Sequence, residues 1–231
     1  VNLGLERGIT DVVLCGDITD NANPTQRTQV ALFNTLSSLP CTFHLLLGNH
    51  DSSSADTHSL IIAKWVSKQK YSNLRVITEP TTLKIEEGGR LLMLPHPYVY
   101  DLPKKYLFGV GHFPVDGARS DNGFRVRSKN CPNGKWILGD FHTPQGGRSK
   151  GCHYRYLGSL TQLSFAESDK KRVLLFEDGE FSNIRVPLSY KLNRVTLKEG
   201  DKLPDVSDRS VYWQIKYEKT FRFPAGWFSE N

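Results

Sequence analysis

Two stretches decide the fold: "VVLCGDITDN" (residues 12–21) and "FHLLLGNHDS" (residues 43–52). In each, a short continuous apolar run stops at Gly and gives way to Asp, Asn and His. Runs of this length without polar alternation mark strands buried on both faces. Between them "NPTQRTQVALFNTLSSLP" spaces Val30, Phe33 and Leu36 as on a helix, with Pro24 at its start and Pro40 at its end. Strand, helix, strand makes two parallel neighbours. A turn after each strand needs Gly and Asn. It does not need Asp17, Asp20, Asn49, His50 and Asp51 together. In open α/β sheets, ligands collect outside the carboxyl ends of the strands, where both loops lie.

Further along, "THSLIIAKWVSKQKY" reads as a second helix. "LRVI", "TTLKIEEGGRLLMLP" and "KKYLFGVGH" read as strands, the middle stretch turning at Gly88 and Gly89. "FRVRS", "KWILGD", "CHYRYLGS" and "RVLLFEDGEFSNIRVPL" continue as strands, the last with a hairpin at Asp178 and Gly179. The chain is therefore βαβ followed by mostly β. The expected class is α/β, a two-sheet α/β sandwich with helices outside. After Pro187 the sequence turns polar and loop-like, which places a boundary between a core of residues 1–187 and an appendage of residues 188–231. The opening "VNLGLERGITD" resembles the tail of an amphipathic helix, so the chain is expected to begin inside a domain.

At 231 residues the chain has room for one large domain, or one domain and an appendage. No apolar run approaches the roughly 20 residues of a membrane helix. The net charge of +6 is concentrated. Residues 117–156 hold eight Lys and Arg against two acids, an excess equal to that of the whole chain, while the remaining residues balance at 22 against 22. Arg119, Arg125, Arg127, Lys129, Arg148 and Lys150 belong to this segment and suit a polyanionic substrate. Cys15 and Cys41 lie in or beside apolar runs, as small core residues do. Cys131, His142, Cys152 and His153 lack the paired spacing of a zinc knuckle. This cysteine usage suits a reducing cytoplasm.

Two more strands end in polar groups: "YLFGVGHFP" delivers His112, and "KWILGDFHTPQ" delivers Asp140 and His142. Asp17, Asn49, His50, His112, Asp140 and His142 then share one site. Carboxylate, amide oxygen and imidazole without thiolate suit Mn, Fe, Zn or Mg. Such a set fits a two-metal centre that clamps an in-line attack on phosphorus. His44 inside its strand reads as structural, and His96 as a turn or wall residue. His58 and His153 have no motif around them, and Asp20 reads as a loop-backbone partner. Phe124, Trp136, Tyr154 and Tyr156 read as core or sheet-face residues, with no sequence signal to select one for base stacking.

"GDITD" and "GNHD", in this order, resemble the second and third motifs of the calcineurin-like metallophosphoesterases. "GHFPVDG" resembles the fourth motif and "GDFHTPQ" the fifth. The run "GDFHTPQ…YRYLGSLTQLSFAES" is similar in more detail to SbcD-type nucleases of DNA break repair. The resemblance covers roughly residues 8–190. It implies that Asp17 bridges two divalent metals, Mn2+ first among them with Mg2+ or Fe2+ as alternatives. Asn49, His112 and Asp140 would hold the second metal and His142 the first. His50 would orient the phosphate or protonate the leaving oxygen. It further implies DNA as substrate, an SbcC-type coiled-coil ATPase as partner, a homodimer, and no membrane. The segment 188–231 would be a reduced or truncated cap. The chain departs from the family twice. The first motif, D-x-H, is absent, which truncation would explain, and Asp140 stands where the family has His. Two other activities share most of these motifs: a phosphoesterase for nucleotides or phosphoproteins, and a DNA-binding subunit with a weakened centre.

Overall fold

A computed structural model describes residues 2–53, 57–68, 72–85, 88–97, 102, 105–128 and 132–223. The chain divides into two compact units, Val1–Leu157 and Gly158–Asn231.

The first unit opens with α1 (Asn2–Glu6) and β1 (Asp11–Leu14), followed by α2 (Gln26–Ser37), β2 (Thr42–Leu46), α3 (Ile61–Ser67) and β3 (Leu74–Ile77). β1, β2 and β3 pair in that order, all parallel. The strand–helix–strand reading of the two opening stretches is therefore observed. Thr25, not Pro24, caps α2: its backbone is extended and its hydroxyl accepts the Thr28 N–H at 3.2 Å. Leu36 is buried, with Leu32 and Phe33 partly so, whereas Val30 faces solvent. These side chains pack with Phe43, Leu45, Leu47, Leu60 and Leu74 into one core cluster.

The second sheet of this unit is built from β4 (Thr81–Lys84), β5 (Arg90–Leu94), β6 (Phe108–Gly111), β7 (Gly134–Leu138), β8 (Gln145–Ser149) and β9 (Cys152–Tyr156). Their order is β4-β5-β6-β7-β9-β8. The four central strands are parallel, and β4 and β8 run antiparallel at the edges. A second cluster under this sheet includes Leu92, Leu94, Phe113, Trp136, Leu138, Phe141 and Tyr156. "FRVRS" is not a strand of this sheet; Arg125 pairs only with Arg119 in an isolated bridge. Phe124 beside it is 75 % exposed, and of the alternating apolar pair only Val126 packs against the core cluster. β8 went unread because "QGGRS" carries no apolar residue.

The second unit holds β10 (Arg172–Glu177) and β11 (Glu180–Arg185), an antiparallel hairpin closed by Asp178 and Gly179 as expected. Both turn residues have positive φ, the geometry that matches strand twist in a two-residue loop. β12 (Lys191–Leu197) and β13 (Val211–Tyr217) pair in parallel where a loop was expected. β12 itself carries mostly polar side chains, Lys191, Asn193, Arg194 and Thr196, which hides the strand in "KLNRVTL". The division between units falls after Leu157, ahead of the composition shift at Pro187. Gln162 ties the intervening segment to β12: its amide donates to the Leu192 carbonyl at 3.0 Å and accepts from the Leu192 N–H at 2.9 Å.

The run "GSLTQLSFAES" is the scaffold of this unit. Lys171, 1 % exposed, donates to Glu167 at 2.7 Å and to the Ser159 hydroxyl at 2.8 Å. Burial pushes the Glu167 carboxyl up, but the bonds and charge of Lys171, with backbone and Ser159 donors, outweigh it and hold the pKa below the usual range. A buried charge pair of this kind is tolerated only when further hydrogen bonds support it.

Candidate active site

Asp17 and Asn49 follow β1 and β2, and His112 and Asp140 follow β6 and β7, so four proposed ligands stand at carboxyl ends of parallel strands. Among the described residues, four non-glycine residues have positive φ: Asp17 (49°), Asp140 (85°), Lys150 and Asp178. The last two sit in the hairpin turns β8–β9 and β10–β11, which demand that conformation. Asp17 and Asp140 have no hairpin to explain them. Strained backbone of this sort concentrates at functional sites.

The loops meet without spare volume. A Cβ on Gly48 would collide with the carboxylate and backbone nitrogen of Asp17, and one on Gly139 with the Cys15 carbonyl. Asp51 locks the first two loops. Wholly buried, it accepts from the N–H groups of Gly48 (2.9 Å), Ile18 (3.1 Å) and Thr19 (2.8 Å), and from the hydroxyls of Thr19 and Ser59. It thus anchors the residues beside Asp17 to those beside Asn49.

His112 is the centre of the cluster. It is 1 % exposed, and its Nδ1 lies 2.7 Å from the Cys15 carbonyl, which can only accept. The ring therefore carries a proton on Nδ1. Its Nε2 points at two further acceptors, Asn49 Oδ1 at 2.9 Å and Asp17 Oδ2 at 3.3 Å. Three electron-rich atoms converging on one point call for a cation, either a proton or a metal. Burial works against charge on the ring. The Asp17 hydrogen bond and charge, the Cys15 carbonyl and Asp140 outweigh it and raise the His112 pKa above the ordinary value. Burial likewise pushes Asp17 up, but His112 and the His50 N–H prevail and lower it. A divalent metal about 2.0–2.1 Å from each donor separates neighbouring donors by about 2.9–3.4 Å. The observed spacings match, and an Nδ1–H donated to a carbonyl is the usual support of a metal-binding imidazole. Asp17, Asn49 and His112 therefore fit one cation. Burial pushes the pKa of the half-buried Cys15 thiol up to about 12.

The other proposed ligands are less closely gathered. Among the described residues, no three His, Cys, Asp or Glu side chains form a metal-holding group. Asp140 senses the charges of His112, Asp17, Asp121 and His142, and burial first, then Asp17 and Asp121, raise its pKa. His142 is engaged by Asp121: its N–H donates to Oδ1 at 2.9 Å and its Nδ1 lies 3.6 Å from Oδ2. Asp121 was missed because "SDNG" is an ordinary turn sequence. His50 sits at the rim, its side chain 52 % exposed. Its N–H donates to Asp17 Oδ1, and its Nδ1 lies 2.9 Å from the Asp20 backbone carbonyl, not the Asp20 side chain. That carbonyl, countered by burial and aided by Asp17 and Asp20, raises the His50 pKa. His96 faces the same charges, and burial and His112 keep its pKa low. His44 pairs with Asp11 at 2.7 Å, away from these loops.

Of the basic residues, Arg119, Arg125, Arg127, Arg148 and Lys150 are exposed, Lys150 lying 3.6 Å from Asp116. Lys129 and Cys131 lie outside the described residues.

No curated protein matches the chain. Among solved structures, a novel archaeal phosphodiesterase matches at 10 % identity and a TM-score of 0.42, over 80 % of this chain and 88 % of that one. The sequence profile of the calcineurin-like phosphoesterases matches residues 3–182. The chain thus belongs to the calcineurin-like phosphoesterase family, hydrolases that typically bind two metal ions.

Proposed function

We propose that the chain hydrolyses phosphodiester bonds in DNA, as the nuclease subunit of an SbcD-like enzyme with an SbcC-type coiled-coil ATPase partner. The observation that supports it best is the charge around the ligand loops. Arg119, Arg125 and Arg127 are exposed and, among the described residues, make no ion pair, while Asp121 between them touches the backbone of His142. Unpaired guanidinium groups beside a phosphoesterase centre suit a polymer of phosphates better than a single small ester.

Asn49, His112 and Asp140 would hold one metal and His142 the other, with Asp17 shared between them. When bound, the metals polarise phosphoryl oxygens and make water more acidic. The protein's own task is placement. Asp51 and the glycine contacts fix the donors before substrate arrives. His50, its Nδ1 proton held at the Asp20 carbonyl, would donate from Nε2 to a nonbridging or leaving oxygen as the imidazolium, the form that its raised pKa favours.

The test compares a labelled DNA duplex with a chromogenic phosphodiester, each with Mn2+, Mg2+ or Fe2+. Cleavage of both, abolished by Asp17→Asn, is expected. Turnover of the chromogenic ester with an untouched duplex in every metal would reject the nuclease reading in favour of a small-ester phosphoesterase.

A further inference from the structure

Five aromatic residues, Phe124, Trp136, Phe141, Tyr154 and Tyr156, share the basic segment, and the structure separates them; Phe141 is buried in the core cluster. Trp136 and Tyr156 are 1 % and 0 % exposed, and Tyr154 packs edge-on against Tyr156. Phe124 alone stands out in solvent, and no ring stacks on it among the described residues. Its position has no turn to serve, because Ser120, Asp121, Asn122 and Gly123 supply the turn: Gly123 N–H donates to Ser120 O at 2.8 Å.

The backbone that carries the ring is held firmly. Residues 117–126 form a small hairpin, with Val126 N–H on Ala118 O (2.8 Å), Gly117 N–H on Val126 O (3.0 Å) and Ser120 N–H on Phe124 O (2.9 Å). The Gln145 side chain adds a further rung, accepting from Arg119 N–H at 2.8 Å and donating to Arg119 O at 2.6 Å. Asp121, three positions before Phe124, binds the His142 N–H. The arm is therefore ordered beforehand and abuts a ligand loop, so a group docking on Phe124 meets little entropic cost.

We propose that Phe124 is a base-stacking subsite, which receives an unpaired base while Arg119 and Arg125 contact the adjoining phosphates. This rests on the DNA reading above and narrows it: the favoured substrate has a single-stranded or frayed segment at the site. A phenyl face accepts any base, and the arginines read backbone charge, so the subsite is indifferent to sequence. In an intact duplex both faces of each internal base are already stacked, leaving none for Phe124.

The experiment is equilibrium binding of a fluorescein-labelled octanucleotide and its abasic counterpart to the full chain, by anisotropy in metal-free buffer, with duplex cleavage assayed separately in Mn2+, Mg2+ and Fe2+. The wild type should prefer the base-bearing strand by about five- to a hundredfold, the range of one stacked base. Phe124→Ala and Phe124→Leu should erase the preference, and Phe124→Trp should keep it. A Phe124→Ala variant that retains the preference overturns the subsite. So does a wild type that cuts duplex DNA yet binds both strands equally, which leaves the nuclease reading intact. A wild type that neither binds strands nor cuts DNA removes that reading and the subsite with it.

Discussion

Replacing Asp51 by Asn should unsettle the site without touching a proposed ligand. In the wild type, Oδ2 accepts the Ile18 and Gly48 N–H groups, while Oδ1 accepts the Thr19 N–H and the Thr19 and Ser59 hydroxyls. The new amide must aim its NH2 at one of these groups. On the Oδ2 side it would face two backbone donors that cannot turn away. On the Oδ1 side it faces only one, because both hydroxyls can rotate, and Thr19 Oγ1 already has the Asn21 carbonyl at 3.0 Å as another acceptor. The amide therefore settles with its oxygen on Ile18 and Gly48, leaving the buried Thr19 N–H unpaired at about 1–3 kcal/mol. The two retained bonds fall from charged to neutral strength, about 1 kcal/mol each. The total of about 3–5 kcal/mol corresponds to a Tm lower by about 6–20 °C for a unit of this size. Thermal unfolding followed by circular dichroism at neutral pH reads it directly. A midpoint within about 2 °C of wild type, below the smallest shift these bonds allow, would refute the claim that Asp51 clamps the two loops.

His50→Ser should keep its metal content while turnover falls by about two orders of magnitude or more; metal analysis showing a loss would make His50 a ligand. Asp140→Ala should bind one metal fewer in titration calorimetry, and unchanged stoichiometry would mean that Asp140 points elsewhere. Glu167 has a depressed folded pKa, so its stabilising effect is present above the ordinary glutamate value of about 4.3 and fades as pH falls through the lower folded value. Glu167→Gln strands the Lys171 charge and should cost about 3–5 kcal/mol at neutral pH. Its denaturation midpoint should also lack that acid-side decline, which urea melts at several pH values would reveal. Arg125→Ser combined with Arg127→Ser should weaken duplex binding equally for all sequences and flatten the log–log salt dependence by about 0.9 per lost phosphate contact.

What the sequence made legible was what local chemistry dictates. The two opening runs, with polar endings and a helical insert, could only be parallel strands, and they put Asp17 and Asn49 at one end of a sheet. His112 and Asp140 were readable for the same reason. Asp51 was visible inside "GNHD", but its role was not, because its five partners are distributed over residues 18–59. Asp121 and Gln145 act through contacts twenty or more positions away, and no local pattern announces such pairings. β8 and β12 were hidden because their ladders are made by backbone groups, while their side chains lack the alternation that betrays a strand. Phe124 reads as a core or sheet-face residue because an aromatic in a run with Val126 looks packed until its hairpin is seen.

The bond from His112 to the Cys15 carbonyl joins strands of different sheets, β6 to β1, and Gly139 closes on the same carbonyl from β7. The donor set is thus split along a seam: Asp17 and Asn49 ride on one sheet, His112 and Asp140 on the other. A core substitution under either sheet that slid it by an ångström would pull the donors apart, even with every site residue unchanged. A metal seated across the seam would act as a rivet, adding its binding energy to the cohesion of the two sheets. Titrating metal should therefore slow amide exchange first along the ends of β1 and β6, before it protects the middle of either sheet.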